Sequence, residues 1–106
     1  MNKKFYKKIF FNLLIIIFTT AVNADDKMNL GLEIYNTKAM CGTCHTLQAA
    51  KSNGSIGPNL DILKPQIPQI ISAVKNGIGV MPPWDGILTT EEIEAVAYYV
   101  FNSTNN

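Results

Sequence analysis

Apolar residues along the chain fall into patches of unlike period, and each patch predicts a different element. The first is a continuous run over residues 9–18, broken only by Asn12. Further on, Leu30, Leu32, Ile34 and Tyr35 recur at helical spacing and predict a first helix over residues 27–38, ending before Met40. Ile67, Ile70, Ile71 and Val74 repeat at three and four, with Gly77 just past Asn76 as a stop, which predicts a helix over residues 68–76. The last stripe, Ile93, Val96, Ala97 and Val100, has the clearest start signal. Thr89 as N-cap with Glu92 three residues on makes a capping box, Leu88 and Ile93 occupy the staple positions, and Glu91 and Glu92 suit the positive end of the helix dipole. Between these helices the pattern predicts a short helical turn over residues 41–47 and a loop over 51–61. A second irregular stretch follows over 77–86, containing Pro82 and Pro83. No strand-like alternation and no internal repeat is visible, so the fold class is all-α, three to four short helices joined by loops.

Charge separates the chain into two unlike parts. Lysines 3, 4, 7 and 8 precede the apolar run, and Thr19, Thr20, Ala21, Val22, Asn23 and Ala24 follow it. This is the pattern of a secretory signal peptide over residues 1–24, with Ala24 and Val22 at the last and third-last positions and Asp25 as the first mature residue. The competing reading, an uncleaved membrane anchor, needs about 20 apolar residues where the run supplies far fewer, so no stable membrane anchor is expected. The formal charge of +1 over 106 residues then resolves into a basic leader and a domain at residues 25–106 with five lysines, no arginine and eight acids, a net charge of −3. Without a basic stripe to neutralise phosphates, nucleic-acid binding is excluded. A domain of this size is marginal on its own core and needs a staple. The two cysteines, Cys41 and Cys44, stand too close together for a bridge between them to constrain the unfolded chain appreciably.

The same two cysteines open the motif Cys41-Gly42-Thr43-Cys44-His45, CxxCH, the attachment sequence for c-type haem. Two thiols on a tight turn can add across the two vinyl groups of one porphyrin, and the next residue then brings its imidazole to the iron. One covalent haem c would also supply the missing core. Three other readings compete for these residues. A thioredoxin-like couple needs a βαβ context that the pattern lacks, a structural zinc site needs four ligands, and a simple disulfide or a pair of buried thiols remains. If His45 takes one axial position, the other falls to a methionine, since His45 is the only histidine. Met1 leaves with the leader, Met40 is tied to the side of Cys41, and Met28 lies in the first helix, where packing is the simpler role. Met81 follows Gly77 and Gly79 and precedes Pro82 and Pro83, a loop able to approach a cofactor closely and hold a sulfur there; ordinary core filling is its alternative. With both axial positions filled, the implied function is one-electron transfer at high potential, thioether ligation and the apolar side chains Leu60, Ile70, Val74 and Ile78 favouring the ferrous state. A haem enzyme or a gas or peroxide sensor with a labile Met81 is the alternative.

In the order of its motifs the chain resembles the small class I, monohaem c-type cytochromes, from Gly31 to Val100. Gly31 and Tyr35, CxxCH at 41–45, Gly57-Pro58-Asn59-Leu60, Met81-Pro82 and a terminal helix over 93–100 with Tyr99 come in the family's sequence. The resemblance implies that the Pro58 carbonyl accepts the His45 Nδ1 hydrogen. It also implies that Gly31 lets the first and last helices cross closely among Tyr35, Val96 and Tyr99. Trp84 is implied to lie along the haem edge and donate to a propionate, simple burial being the other reading of that indole. Gly57-Pro58-Asn59-Leu60 followed by Asn76-Gly77-Ile78-Gly79-Val80-Met81-Pro82 is similar to the cytochrome subunits of periplasmic sulfite dehydrogenases. The implied setting is therefore periplasmic, with a dehydrogenase as electron donor and a terminal oxidase or another cytochrome as acceptor.

Overall fold

The computed structural model describes residues 23–106. The leader expected over residues 1–24 lies, except for its last two positions, outside the described residues.

Helix α1 (Ala24–Glu33) begins three residues earlier than its apolar spacing predicts, because Asn23 accepts from the Asp26 N–H at 2.9 Å and Asp25 and Asp26 occupy the dipole-favoured first turn. Its end widens into a π-helical turn (Ile34–Lys38), closed by the Ala39 N–H donating to the Ile34 carbonyl at 3.0 Å. A 3₁₀ turn (Cys41–Thr43) follows. The next segment corrects the expectation of a helical turn running to residue 47: β1 (Thr46–Leu47) pairs antiparallel with β2 (Ser52–Asn53) across a second 3₁₀ turn (Gln48–Ala50). Strands of two residues cannot display the alternation by which strands are recognised in sequence. A short helix α2 (Leu60–Leu63), capped by Asn59, occupies the end of the expected loop. Helix α3 (Ile67–Asn76) stops at Gly77, as its pattern predicts.

Helix α4 (Thr90–Thr104) carries the reciprocal capping box expected of Thr89 and Glu92, with bonds of 3.1 and 2.9 Å. The Glu92 carboxylate also receives Lys38 at 2.8 Å, which ties the end of the first helical segment to the start of the last. Ile93, Val96, Ala97, Tyr99 and Val100 are buried, and α1, α2 and α3 all pack against this helix. The crossing of α1 over α4 depends on Gly31. A Cβ there would run into the Ala95 carbonyl and stand 2.5 Å from Tyr99 Cβ, so only a glycine lets the two backbones approach this closely. Beside the crossing, the rings of Tyr35 and Tyr99 lie 5.9 Å apart and tilted by 59°, a packing geometry favourable to aromatic pairs. Lys27 lies 5.0 Å from the centre of the Tyr98 ring on the outer side of the same seam.

Candidate functional site

The CxxCH segment is a tight turn held from several sides. Met40 enters it in the left-handed region (φ 49°), and the Cys44 and His45 N–H groups both donate to the Cys41 carbonyl, at 3.1 and 3.0 Å. Strand β2 lies directly on this turn. A Cβ on Gly54 would stand 2.5–2.7 Å from the backbone of Cys44 and His45, a distance no side chain tolerates against main-chain atoms. The two cysteines are not joined to each other by a disulfide. Before any cofactor is attached, burial pushes the Cys41 thiol up to about 11.

His45 is fixed as its motif implies. Its Nδ1 donates to the Pro58 carbonyl at 2.7 Å, which leaves Nε2 without the hydrogen. Gly57 donates its N–H to the Cys44 carbonyl at 2.7 Å and lies against the imidazole; a Cβ on it would fall 2.6 Å from Cε1 and 2.9 Å from Nδ1.

Met81 is presented by a loop folded back on the end of α3. Ile78 and Met81 exchange two backbone hydrogen bonds, at 3.1 and 2.9 Å, and Trp84 N–H donates to the Val74 carbonyl at 2.9 Å. Gly77, at φ 72°, turns the chain where a Cβ would meet the Met81 carbonyl at 2.6 Å.

These elements enclose a cavity of about 490 Å³, inside the range of small-molecule and cofactor sites. Cys41, Cys44, His45, Pro58, Met81 and Trp84, the six residues singled out from sequence, all line it, and among the described residues no Asp, Glu, Lys or Arg side chain does. Leu60, Ile70 and Val74 form buried apolar wall, as expected of them, whereas Ile78 lines the cavity from its rim and is 68% exposed, against the burial expected of it. Met40 also lines the cavity, whereas Met28 packs against the hydrophobic core. Among the described residues no group of three or more His, Cys, Asp and Glu side chains gathers to hold a bare metal ion. Sequence reasoning missed the polar supports of the turn. Ser52 bonds to Tyr35, His45 and Leu47, Thr46 donates to the Gly54 carbonyl at 2.9 Å, and the Asp61 carboxylate accepts from Gln48 N–H at 2.8 Å. No local pattern marks these residues, because each acts on a partner five or more positions away.

Two thiols on one turn at the wall of an apolar cavity, followed by an imidazole with one nitrogen already engaged, fit a covalently attached macrocycle. With the helical fold around it, this site defines a small monohaem c-type cytochrome. The profile of the family described as cytochrome C oxidase, cbb3-type, subunit III matches residues 26–100. Cytochrome c6 of Tetradesmus obliquus is 32% identical over 87 residues, spanning 73% of this chain and 93% of the relative. Cytochrome c6 of Leptolyngbya boryana is likewise 32% identical, over 76 residues that span 68% of this chain and 87% of the relative. The crystal structure of the c-type cytochrome SorU from Sinorhizobium meliloti matches with a TM-score of 0.72 at 50% identity, covering 76% of this chain and 93% of that one. The chain belongs to this c-type cytochrome family; it is an electron-transfer protein rather than an enzyme, and carries one haem c bound through Cys41 and Cys44.

Proposed function

We propose that the protein is a periplasmic one-electron carrier in which His45 and Met81 would be the two side chains that hold the haem iron. The observation that carries this reading is the His45 Nδ1–H bond to the Pro58 carbonyl at 2.7 Å, made in the same cavity that Met81 lines. When bound, the haem supplies an Fe(II)/Fe(III) couple. The chain's own residues set how that couple behaves. Pro58 holds His45 in the tautomer that offers Nε2 and makes the imidazole more electron-rich. The paired backbone bonds between Ile78 and Met81 hold the methionine loop closed, so little has to move during turnover. Leu60, Ile70 and Val74, all buried, exclude water and disfavour the extra positive charge of the oxidised state, which raises the potential. Trp84, at the cavity wall, would offer its indole N–H to a propionate.

Exchange with partners takes place over the cavity rim, where Met40, Ile56, Ile78 and Val80 are exposed, Val80 to 86%. A small, transient interface suits this patch. The donor in this reading is a periplasmic dehydrogenase, a sulfite dehydrogenase by the likeness of the 57–60 and 76–82 segments, and the acceptor is a terminal oxidase or another cytochrome. Residues 1–24 act as the cleaved leader and 25–106 as the cytochrome domain. Among the described residues no helix is long and apolar enough to cross a membrane.

Carbon monoxide tests the closed iron directly. The reduced native protein is expected to take it up slowly and incompletely; fast, complete uptake overturns the two-ligand reading in favour of a gas- or peroxide-reactive haem. A mass for the secreted protein equal to the chain from Asp25 plus one haem is expected, and any other start refutes the leader boundary.

A further inference from the structure

Ser52 sits where three parts of the molecule meet. Its Oγ lies 2.8 Å from the Tyr35 hydroxyl, 3.1 Å from Leu47 N and 3.0 Å from the His45 carbonyl, with the Leu47 carbonyl farther off at 3.4 Å. A serine hydroxyl has one hydrogen and two acceptor positions. Leu47 N–H can only donate and fills one acceptor position. The His45 carbonyl can only accept and takes the hydrogen. The Tyr35 hydroxyl must then donate into the second acceptor position. Tyr35 has no solvent-exposed surface, and burial pushes its phenol up to about 12, so it remains a donor throughout the ordinary pH range. Every capacity of the Ser52 hydroxyl is used, and no buried side-chain nitrogen or oxygen among the described residues lacks a partner.

We infer that Ser52 is a positioning residue for the axial histidine. Both peptide groups flanking the His45 Cα are held, the N–H by the Cys41 carbonyl and the C=O by Ser52. The ring is held separately, at Nδ1 by Pro58 and across its face by Gly57. Removing the Ser52 hydroxyl frees the His45 carbonyl and leaves Tyr35 and Leu47 N–H without an acceptor. The imidazole then hangs from a loosened peptide, and its bond to Pro58 slackens. Close packing brings Ser52 to this point: a Cβ on Gly42 would stand 2.6 Å from Ser52 Cβ, so the serine lies directly on the CxxCH turn.

The inference rests on His45 being an axial ligand, and its test separates the two claims. Holoprotein is prepared as wild type, Ser52→Ala, Ser52→Thr and Leu88→Ala, the last a buried residue away from the cavity. The reduction potential, the exchange rate of the His45 Nδ1 proton by NMR and the denaturant midpoint are read for each. Ser52→Ala should speed that exchange about tenfold, the size that one net hydrogen bond sets. It should also raise the potential, because a slack Nδ1 bond makes the imidazole a poorer donor to oxidised iron. Ser52→Thr, which keeps the hydroxyl, should restore both, and Leu88→Ala should lose stability with both unchanged. If Ser52→Ala does not accumulate, Tyr35→Phe removes one arm of the clamp and should move exchange and potential in the same direction by less. A variant of the clamp that lowers only the denaturant midpoint, as Leu88→Ala does, overturns the positioning role and leaves the ligation intact. Wild-type holoprotein with no ligated-histidine Nδ1 signal overturns the axial reading and the clamp with it.

Discussion

Gly57→Ala tests the histidine's support with a single methyl group. Gly57 has no positive φ, so alanine fits the backbone, and the whole effect comes from the ring beside it. The new Cβ would stand 2.6 Å from His45 Cε1, which is 0.8 Å short of the 3.4 Å at which ordinary contact begins. The imidazole must retreat by about that amount, and the Nδ1 bond to Pro58, 2.7 Å in the native protein, stretches past useful length. Overpacking of this kind costs roughly 1–3 kcal/mol and the lost hydrogen bond about 1 kcal/mol more, so the variant should lose roughly 2–4 kcal/mol. In a domain of this size that lowers Tm by roughly 10–30 °C. Thermal unfolding of the purified holoprotein, followed by its visible absorption, measures the loss, and a redox titration on the same sample should show a shifted potential. A Gly57→Ala protein with native Tm and potential would refute the argument that the glycine exists to admit the ring.

Met81→Ala should keep its covalent haem but lose the sulfur-to-ferric-iron absorption band at the red end of the visible spectrum and fall in potential; an unchanged spectrum places the second ligand elsewhere. Gly31→Ala pushes a methyl into the Ala95 carbonyl and Tyr99, so denaturant titration should show a loss of about 2–3 kcal/mol with a spectrum close to native, and a loss below about 0.5 kcal/mol refutes the tight crossing. Burial raises the Tyr35 phenol from 10.0 to about 12, so the unfolded chain ionises first and stability falls as pH rises from 10 to 12, by up to about 1.4 kcal/mol per pH unit. Denaturant midpoints across that window should lose this slope in Tyr35→Phe, and an unaltered slope refutes the assignment. Because the cavity lining carries no charge and its exposed rim is apolar, the dissociation constant for a redox partner should change by less than about threefold between 0.05 and 0.15 M salt; a steep dependence would place docking on another, charged face.

What the sequence made legible was whatever is written in neighbouring residues. CxxCH is contiguous, the Thr89 capping box spans four positions, and Gly77 stops α3 by its own backbone freedom, so each was readable before any fold was known. Asn23 carries two signals at once, the end of a leader pattern and a helix cap, and the cap is recognised only when α1 is seen to start at Ala24. The ribbon of β1 and β2 escaped because each strand is two residues long. Gly54 fell in a stretch read only as loop and Gly57 in a motif read by resemblance, and the close contacts they admit, with the CxxCH backbone and the His45 ring, appear only in the fold. Ser52 was one polar residue in a loop of polar residues. Its significance lies in the convergence of Tyr35, His45 and Leu47, a property of the folded chain alone.

The crossing at Gly31 also sets an order of events. Its partners, Ala95 and Tyr99, belong to α4, so this close seam joins the earliest and the latest helix among the described residues. Closing a loop of that length costs entropy that grows only slowly with length, but the contacts that offset it do not exist until α4 is complete. A chain cut short before Ala95 has no seam to shut. The order is set by the placement of one glycine: the two backbones can close on each other only once α4 supplies Ala95 and Tyr99.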